Sequence, residues 1–200
     1  MIYPFVSLIR INRRSYRSTR SIDNFIRPYQ TVELANGASL DLGCGNNPRN
    51  PFCAKFFYGV DIRGDVASPY IRQADLSHDK IPFESNTFNI VTAFDFLEHI
   101  PRISYKDGEP RYAFIKLLNE VHRVLKPSGY FLYSMPVYPS PEAYQDPTHV
   151  NIMTEHTIPY YFCEPRSWAS MLGYGFTGKF RLLKQAWIYN HSIIGLIQAL

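Results

Sequence analysis

Five places in this chain carry residues whose type and spacing suit chemistry. The first is "SLDLGCG", where Asp41 ends an apolar run and Gly43, Cys44 and Gly45 follow. A strand that turns through Gly-Cys-Gly lets bare backbone approach a ligand, because glycine tolerates positive φ and carries no Cβ, so a nucleotide-like molecule is the natural occupant. Twenty residues later Asp61 closes "FYGVDI", where a carboxylate can accept two hydrogen bonds from a ribose diol. Asp75 and Leu76 end "QADL"; the acid can accept from an exocyclic amine while the next backbone N–H donates to a ring nitrogen, the pattern that reads adenine. Asp95 follows "FNIVTAF" and leads into Glu98 and His99, which either line the same crevice or pack. In "YQDPTHVNIMT", Asp146 and His149 lie three apart across a Pro-Thr turn, so the carboxylate can orient an imidazole that takes a proton near neutral pH.

For these groups to meet, their elements must end together. From residue 38 onward short apolar runs alternate with helical or turn-rich stretches, the pattern of a parallel sheet with helices on its faces. Runs at 38–43, 57–62, 70–76, 88–96 and 130–137 read as strands, several apolar on both faces as buried parallel strands are. In an open parallel sheet the ligand crevice lies off the carboxyl ends, where Gly43, Asp61, Asp75 and Asp95 all fall. The spacing of Phe114, Leu117, Leu118, Val121 and Leu125 predicts one amphipathic helix, opened by Pro110 and closed by Pro127 and Gly129. A short helix is expected in "RNPFCAKF", with Asn46 as its cap or as a ligand donor, another in "PRSWASM", one or two strands in "KFRLLKQAWIYN", and a helix in the terminal "HSIIGLIQAL". The third glycine of a dinucleotide fingerprint would fall at Pro48, which disfavours NAD.

In this arrangement the chain resembles a class I S-adenosylmethionine-dependent methyltransferase. "LDLGCG" resembles that family's first motif, "GVDIR" its ribose-binding acid, "QADL" its adenine-binding acid, "IPFESNTFNIVTAFDFLEHI" its fourth-strand region and "LLNEVHRVLKPSGYFLYSMP" its helix and fifth strand. The resemblance covers about residues 38–137 and departs from the pattern at Asn46-Asn47-Pro48, where a third small residue is usual. It implies a doubly wound, mostly parallel seven-stranded sheet with helices on both faces and the last strand antiparallel. It also implies S-adenosylmethionine held by Asp41, Gly43, Cys44, Gly45, Asp61, Asp75, Leu76 and Asp95, with an acceptor-side loop at about 138–165 that contains Asp146 and His149. Asp41 then braces the glycine loop or, indirectly, the cofactor's amino group, and Cys44 is a small residue that tolerates burial. Methyl transfer needs no metal; Asp146, His149 and His156 form a weaker alternative reading as cation ligands. The tract also resembles bacterial methyltransferases encoded with surface-glycan genes, so the expected acceptor is a saccharide or small-molecule hydroxyl. A non-catalytic cofactor-binding scaffold and an N-methyltransferase are the rival readings.

Composition narrows the setting. At 46% hydrophobic and 19% charged, 200 residues make an ordinary globular chain, and no apolar run nears the roughly 18 residues of a membrane helix. Three cysteines without CxxC spacing suggest neither a disulfide framework nor a zinc knuckle, which fits a reducing, cytoplasmic setting. The first 30 residues hold Arg10, Arg13, Arg14, Arg17, Arg20 and Arg27 against Asp23 alone, so this basic arm outweighs the whole chain's net +4, and residues 31–200 form the expected domain. The arm lacks the aromatic interleaving of a nucleic-acid surface; a solvated segment, a targeting segment or peripheral contact with anionic lipid remain its readings.

Overall fold

The computed structural model describes residues 16–64 and 68–200. Arg10, Arg13 and Arg14 of the basic arm lie outside the described residues. In chain order, β1 (Ser18–Thr19), α1 (Ile22–Ile26) and α2 (Val32–Ala35) lead into β2 (Ala38–Leu42), β3 (Phe56–Asp61), β4 (Ile71–Gln73) and β5 (Phe88–Phe94). A hairpin of β6 (Ser104–Lys106) and β7 (Glu109–Arg111) precedes α3 (Ala113–Val124) and β8 (Leu125–Pro136). Then come α4 (Thr157–Tyr161), β9 (Cys163–Glu164), α5 (Trp168–Met171), β10 (Phe180–Ile188) and β11 (Ser192–Ala199).

The main sheet runs β4-β3-β2-β5-β8-β11-β10, parallel from β4 to β8, with β11 antiparallel to both of its neighbours. Two-residue strands β1 and β9 pair in parallel with β10, making nine strands where seven were expected. The sheet is buried on both faces. On β8, Phe131, Tyr133 and Met135 pack with Leu117, Leu118 and Val121 of α3, Ile158 of α4 and Ala169 of α5. The alternate residue Leu132 packs on the other face with Phe25 and Ile26 of α1, Leu34 of α2 and Phe52. Phe25 and Ile26 are wholly buried, so the stretch after Arg20 is built into the core.

Three expectations are corrected. The terminal segment is a strand, not a helix: Ile193, Ile194, Leu196 and Ile197 are all buried, so it has no polar face for a surface helix, and β-branched side chains favour the sheet. Gly195 fits there because any Cβ would run into the Tyr133 ring on β8. Pro110 lies in β7, not at a helix start, because Asp107 and Gly108 take φ of 55° and 81° and turn the chain into a hairpin; α3 begins at Ala113. No helix forms in "RNPFCAKF". Instead the Asn50 side chain donates to the Ala54 carbonyl at 2.8 Å and accepts from its N–H at 2.9 Å, closing a loop that drives Phe52 into the core. Asn46 therefore caps nothing and is exposed. Among the described residues no helix is long and apolar enough to cross a membrane.

Candidate active site

Register brings the strand tips level. Leu42 of β2 pairs with Val60 of β3 and Ala93 of β5, Asp61 pairs with Gln73 of β4, and Phe94 pairs with Ser134 of β8. The residues just beyond these tips meet around one cavity of about 590 Å³, lined by Gly43, Asp61, Asp75, Leu76 and Asp95 from the expected set. Arg63, Phe96, His99 and Thr148 complete much of its wall, and sequence reasoning singled out only His99 of these four.

The glycine bend works as its composition suggests. Gly43 and Gly45 have φ of 66° and 60°, and the N–H groups of Gly43 and Cys44 both donate to the Val60 carbonyl. Gly45 N–H donates to Asp61 Oδ2 at 2.7 Å, which ties the bend to the tip of β3. Asp61 Oδ1 accepts from Arg63 N–H and Nε, at 3.1 and 2.9 Å. Burial works to raise the Asp61 carboxyl, but the Arg63 and Gly45 donors prevail and hold it below the usual carboxylate range. Each carboxylate oxygen accepts about two hydrogen bonds. Oδ1 is filled and Oδ2 has one place left, so binding a diol requires Arg63, half exposed, to release Oδ1.

Asp75 and Asp95 differ in how far their own turns engage them. Asp75 Oδ1 accepts from the Ser77 N–H and hydroxyl, capping the turn that follows, while Leu76 beside it is buried. Asp95 is an exposed residue in the left-handed region at φ 50°, which aspartate tolerates better than most residues.

Asp41, Cys44 and Gly45 support the cavity from behind. Cys44 turns back onto β3, its sulfur occupying the space a Cβ on Gly59 would fill, and burial pushes its thiol up to about 12. Asp41 is buried and braces the loop: Oδ1 accepts from Thr92 Oγ1 at 2.6 Å and Oδ2 from Arg49 N–H at 2.8 Å. Burial raises its carboxyl to about 6, against the pull of those two donors. The folded state thus favours the protonated acid, whose contribution is full below the unfolded value near pH 4 and is lost as pH rises through about 6. Relative to Asp41→Asn, the wild type should lose up to about 3 kcal/mol of stability between pH 4 and 7. Urea unfolding across that range tests this, and parallel curves for the two proteins would show that Asp41 is not so perturbed.

In the loop expected to face the acceptor, Asp146 Oδ1 accepts from Thr148 N–H at 2.8 Å and Thr148 Oγ1 at 2.6 Å, so it shapes its own turn. The Thr148 hydroxyl, ahead of its backbone N–H, holds the Asp146 carboxyl below its ordinary range. His149 is oriented by a different group: its Nδ1 lies 3.3 Å from the Ala143 carbonyl. A carbonyl only accepts, so in the neutral ring the proton sits on Nδ1 and the lone pair on Nε2. That Nε2 stands 3.9 Å from Asp146 Oδ2 and 4.0 Å from Glu98 Oε1. Glu98 is 1% exposed, with its carboxyl raised to about 8 by burial and, beyond that, by the nearby Asp95 and Asp146. The loop folds back over it, as Val150 and Asn151 N–H groups donate to the Glu98 carbonyl. His156, the third histidine in the sequence-based cation set, lies instead beside Glu155, with its Nε2 3.7 Å from Oε1.

Comparison with known proteins agrees with this geometry. A family profile described as a methyltransferase domain matches residues 13–176. No curated protein matches the chain. Among solved structures, a SAM-dependent methyltransferase from Aquifex aeolicus superposes with a TM-score of 0.55 at 14% identity over 90% of each chain. A protein from Pyrococcus horikoshii gives 0.56 at 18% identity over 88% of this chain and 89% of its own. The cyclase SpnF gives 0.55 at 13% identity, over 92% of this chain and 85% of its own, so the fold by itself does not fix a reaction. With most of its length inside the family profile and its strand-tip acids around one cavity, the chain belongs to the methyltransferase domain family and has the Rossmann-like fold of class I S-adenosylmethionine-dependent methyltransferases.

Proposed function

We propose that this protein binds S-adenosylmethionine in the strand-tip cavity and transfers its methyl group to a hydroxyl of a saccharide or small molecule, with His149 receiving the hydroxyl proton. The observation that carries the reading is that Gly43, Asp61, Asp75, Leu76 and Asp95, from four separate strand tips, line one cavity whose wall continues into Thr148, next to His149. The donor set suits the cofactor. Three carboxylates against the Arg63 guanidinium favour a cationic ligand rich in hydroxyls and amines, and disfavour a pyrophosphate.

When bound, the cofactor supplies an electrophilic methyl on a sulfonium that becomes a neutral thioether. The protein's part is alignment and a dry surround. Asp61 accepts from ribose hydroxyls once Arg63 turns away, Asp75 and the Leu76 N–H read the adenine edge, and the Gly43–Gly45 bend keeps the backbone close. His149 Nε2 takes the proton of the attacking hydroxyl, and the ring is held in register by the Ala143 carbonyl. Tyr138 and Tyr144, both exposed beside a second cavity of about 430 Å³, offer faces for a sugar ring.

The cofactor half is tested by titrating the protein calorimetrically with S-adenosylhomocysteine. Saturable micromolar binding is expected, and Asp61→Ala should weaken it about 10- to 100-fold, the effect of losing hydrogen bonds to a charged group. Absence of saturable heat at high micromolar ligand would overturn the assignment.

A further inference from the structure

Beside the cavity, Glu98 is sealed from solvent and neither of its carboxylate oxygens has a hydrogen-bond partner. A carboxyl withdrawn from water with nothing donating to it is costly to ionise unless a cation completes it. Two imidazoles face the same point. The His99 and His149 rings meet edge to face at 4.9 Å between centroids, and one ligand atom from each of Glu98, His99 and His149 lies within 4.8 Å of the other two.

Both histidines are held in the tautomer a metal needs. His149 Nδ1 faces the Ala143 carbonyl, and His99 Nδ1 lies 3.2 Å from the Thr148 carbonyl and 3.1 Å from Thr148 Oγ1, whose own hydrogen goes to Asp146. With each Nδ1 donating, both Nε2 lone pairs are left for a ligand; outer partners of this kind ordinarily fix metal-binding imidazoles. Ligands about 2.1 Å from one ion stand roughly 3 to 4 Å apart, so side-chain shifts of about 1 Å close the site.

We propose that Glu98, His99 and His149 bind one divalent cation of intermediate softness, such as Mn²⁺, Co²⁺ or Zn²⁺, as two imidazoles and one carboxylate prefer. The site's role rests on the proposed methyltransferase function and changes one part of it. An acceptor hydroxyl entering an open coordination position is polarised and gives its proton to solvent. Its oxygen then takes the methyl carbon as the carbon–sulfur bond breaks, with the electron pair remaining on sulfur. In that state His149 Nε2 is a ligand, and the cation does the work otherwise assigned to the free imidazole.

The test uses the full chain after chelator treatment, titrated with Co²⁺ by visible absorption and with Mn²⁺ and Zn²⁺ by calorimetry. One ion per chain is expected, together with a rise in Tm on binding. Loss of an outer-shell partner already costs about 10- to 100-fold, so losing a ligand in Glu98→Gln or His149→Ala should weaken binding about a hundredfold or more. If Glu98→Gln does not fold, His149→Ala carries the comparison. No saturable binding below about 1 mM, or binding unchanged in the variants, overturns the site. Titrating the same chelator-treated wild type with S-adenosylhomocysteine keeps the two proposals separable: retained binding with no cation bound sinks only the metal site.

Discussion

His149→Ala should lower kcat by about 10²- to 10⁴-fold while the Kd for S-adenosylhomocysteine stays within about threefold. The split follows from position. The cavity proposed for the cofactor is walled by strand-tip residues and by Thr148, whereas His149 is not among its lining residues and its Nε2 stands 4.0 Å from Glu98 Oε1 and 3.9 Å from Asp146 Oδ2. Removing the imidazole takes away a proton acceptor or a cation ligand, and either loss acts on the acceptor rather than on the pocket proposed for adenosine. Steady-state kinetics with a labelled methyl donor and an acceptor pool give kcat, and calorimetry gives Kd. Equal loss of both would demote His149 to a structural part. Chelator-treated wild type separates its two roles: a free base leaves chelated wild type well above His149→Ala, whereas a ligand brings the two to the same low rate. Asp146→Asn should cost less, about tenfold or under, because the Asp146 carboxylate serves mainly the Thr148 turn and the ring is fixed by Ala143.

Why some of this was legible in sequence and some not has physical causes. Asp61, Asp75 and Asp95 could be placed together because each follows a segment that reads as a strand, and parallel strands in one sheet bring their carboxyl ends to one edge. The α3 stripe was equally readable, since Phe114, Leu117, Leu118 and Val121 are all buried, although Leu125, expected to continue it, already begins β8. The terminal strand was not: a segment apolar on every side has no period, and only its pairing with β8 and β10 decides between helix and strand. Asp107-Gly108 is a hairpin signal in the sequence, and it overrides Pro110 as a helix start. What links Asp146 to His149 was also hidden. Spacing suggests that the carboxylate orients the ring, but the nearer backbone and hydroxyl donors of Thr148 occupy it first. The isolation of Glu98 depends on a loop some fifty residues later folding back to bond its carbonyl, a contact no local pattern encodes.

Gly43→Ala should abolish measurable S-adenosylhomocysteine binding, or weaken it at least about a hundredfold, and lower stability by about 2–5 kcal/mol. Two costs add at this one atom. The φ of 66° is strained for any residue with a Cβ, at about 1–2 kcal/mol. The Cβ itself would overlap the Phe96 ring, lying 2.8 Å from its Cγ, and overpacking of that kind costs about 1–3 kcal/mol. Relief is available in two directions, and both damage the site. If Phe96 moves, the wall it forms with Gly43 shifts into or away from the cavity, and Asp95 beside it is carried off its strained turn. If the bend moves instead, Gly45 N–H leaves Asp61 Oδ2, and the carboxylate expected to hold the ribose loses the donor that ties it to the loop. Calorimetry and urea unfolding on the same preparation measure the two effects together. A stable Gly43→Ala that binds the product normally would show that the ligand does not lie against this bend, and the strand-tip assignment of the cofactor would fall with it.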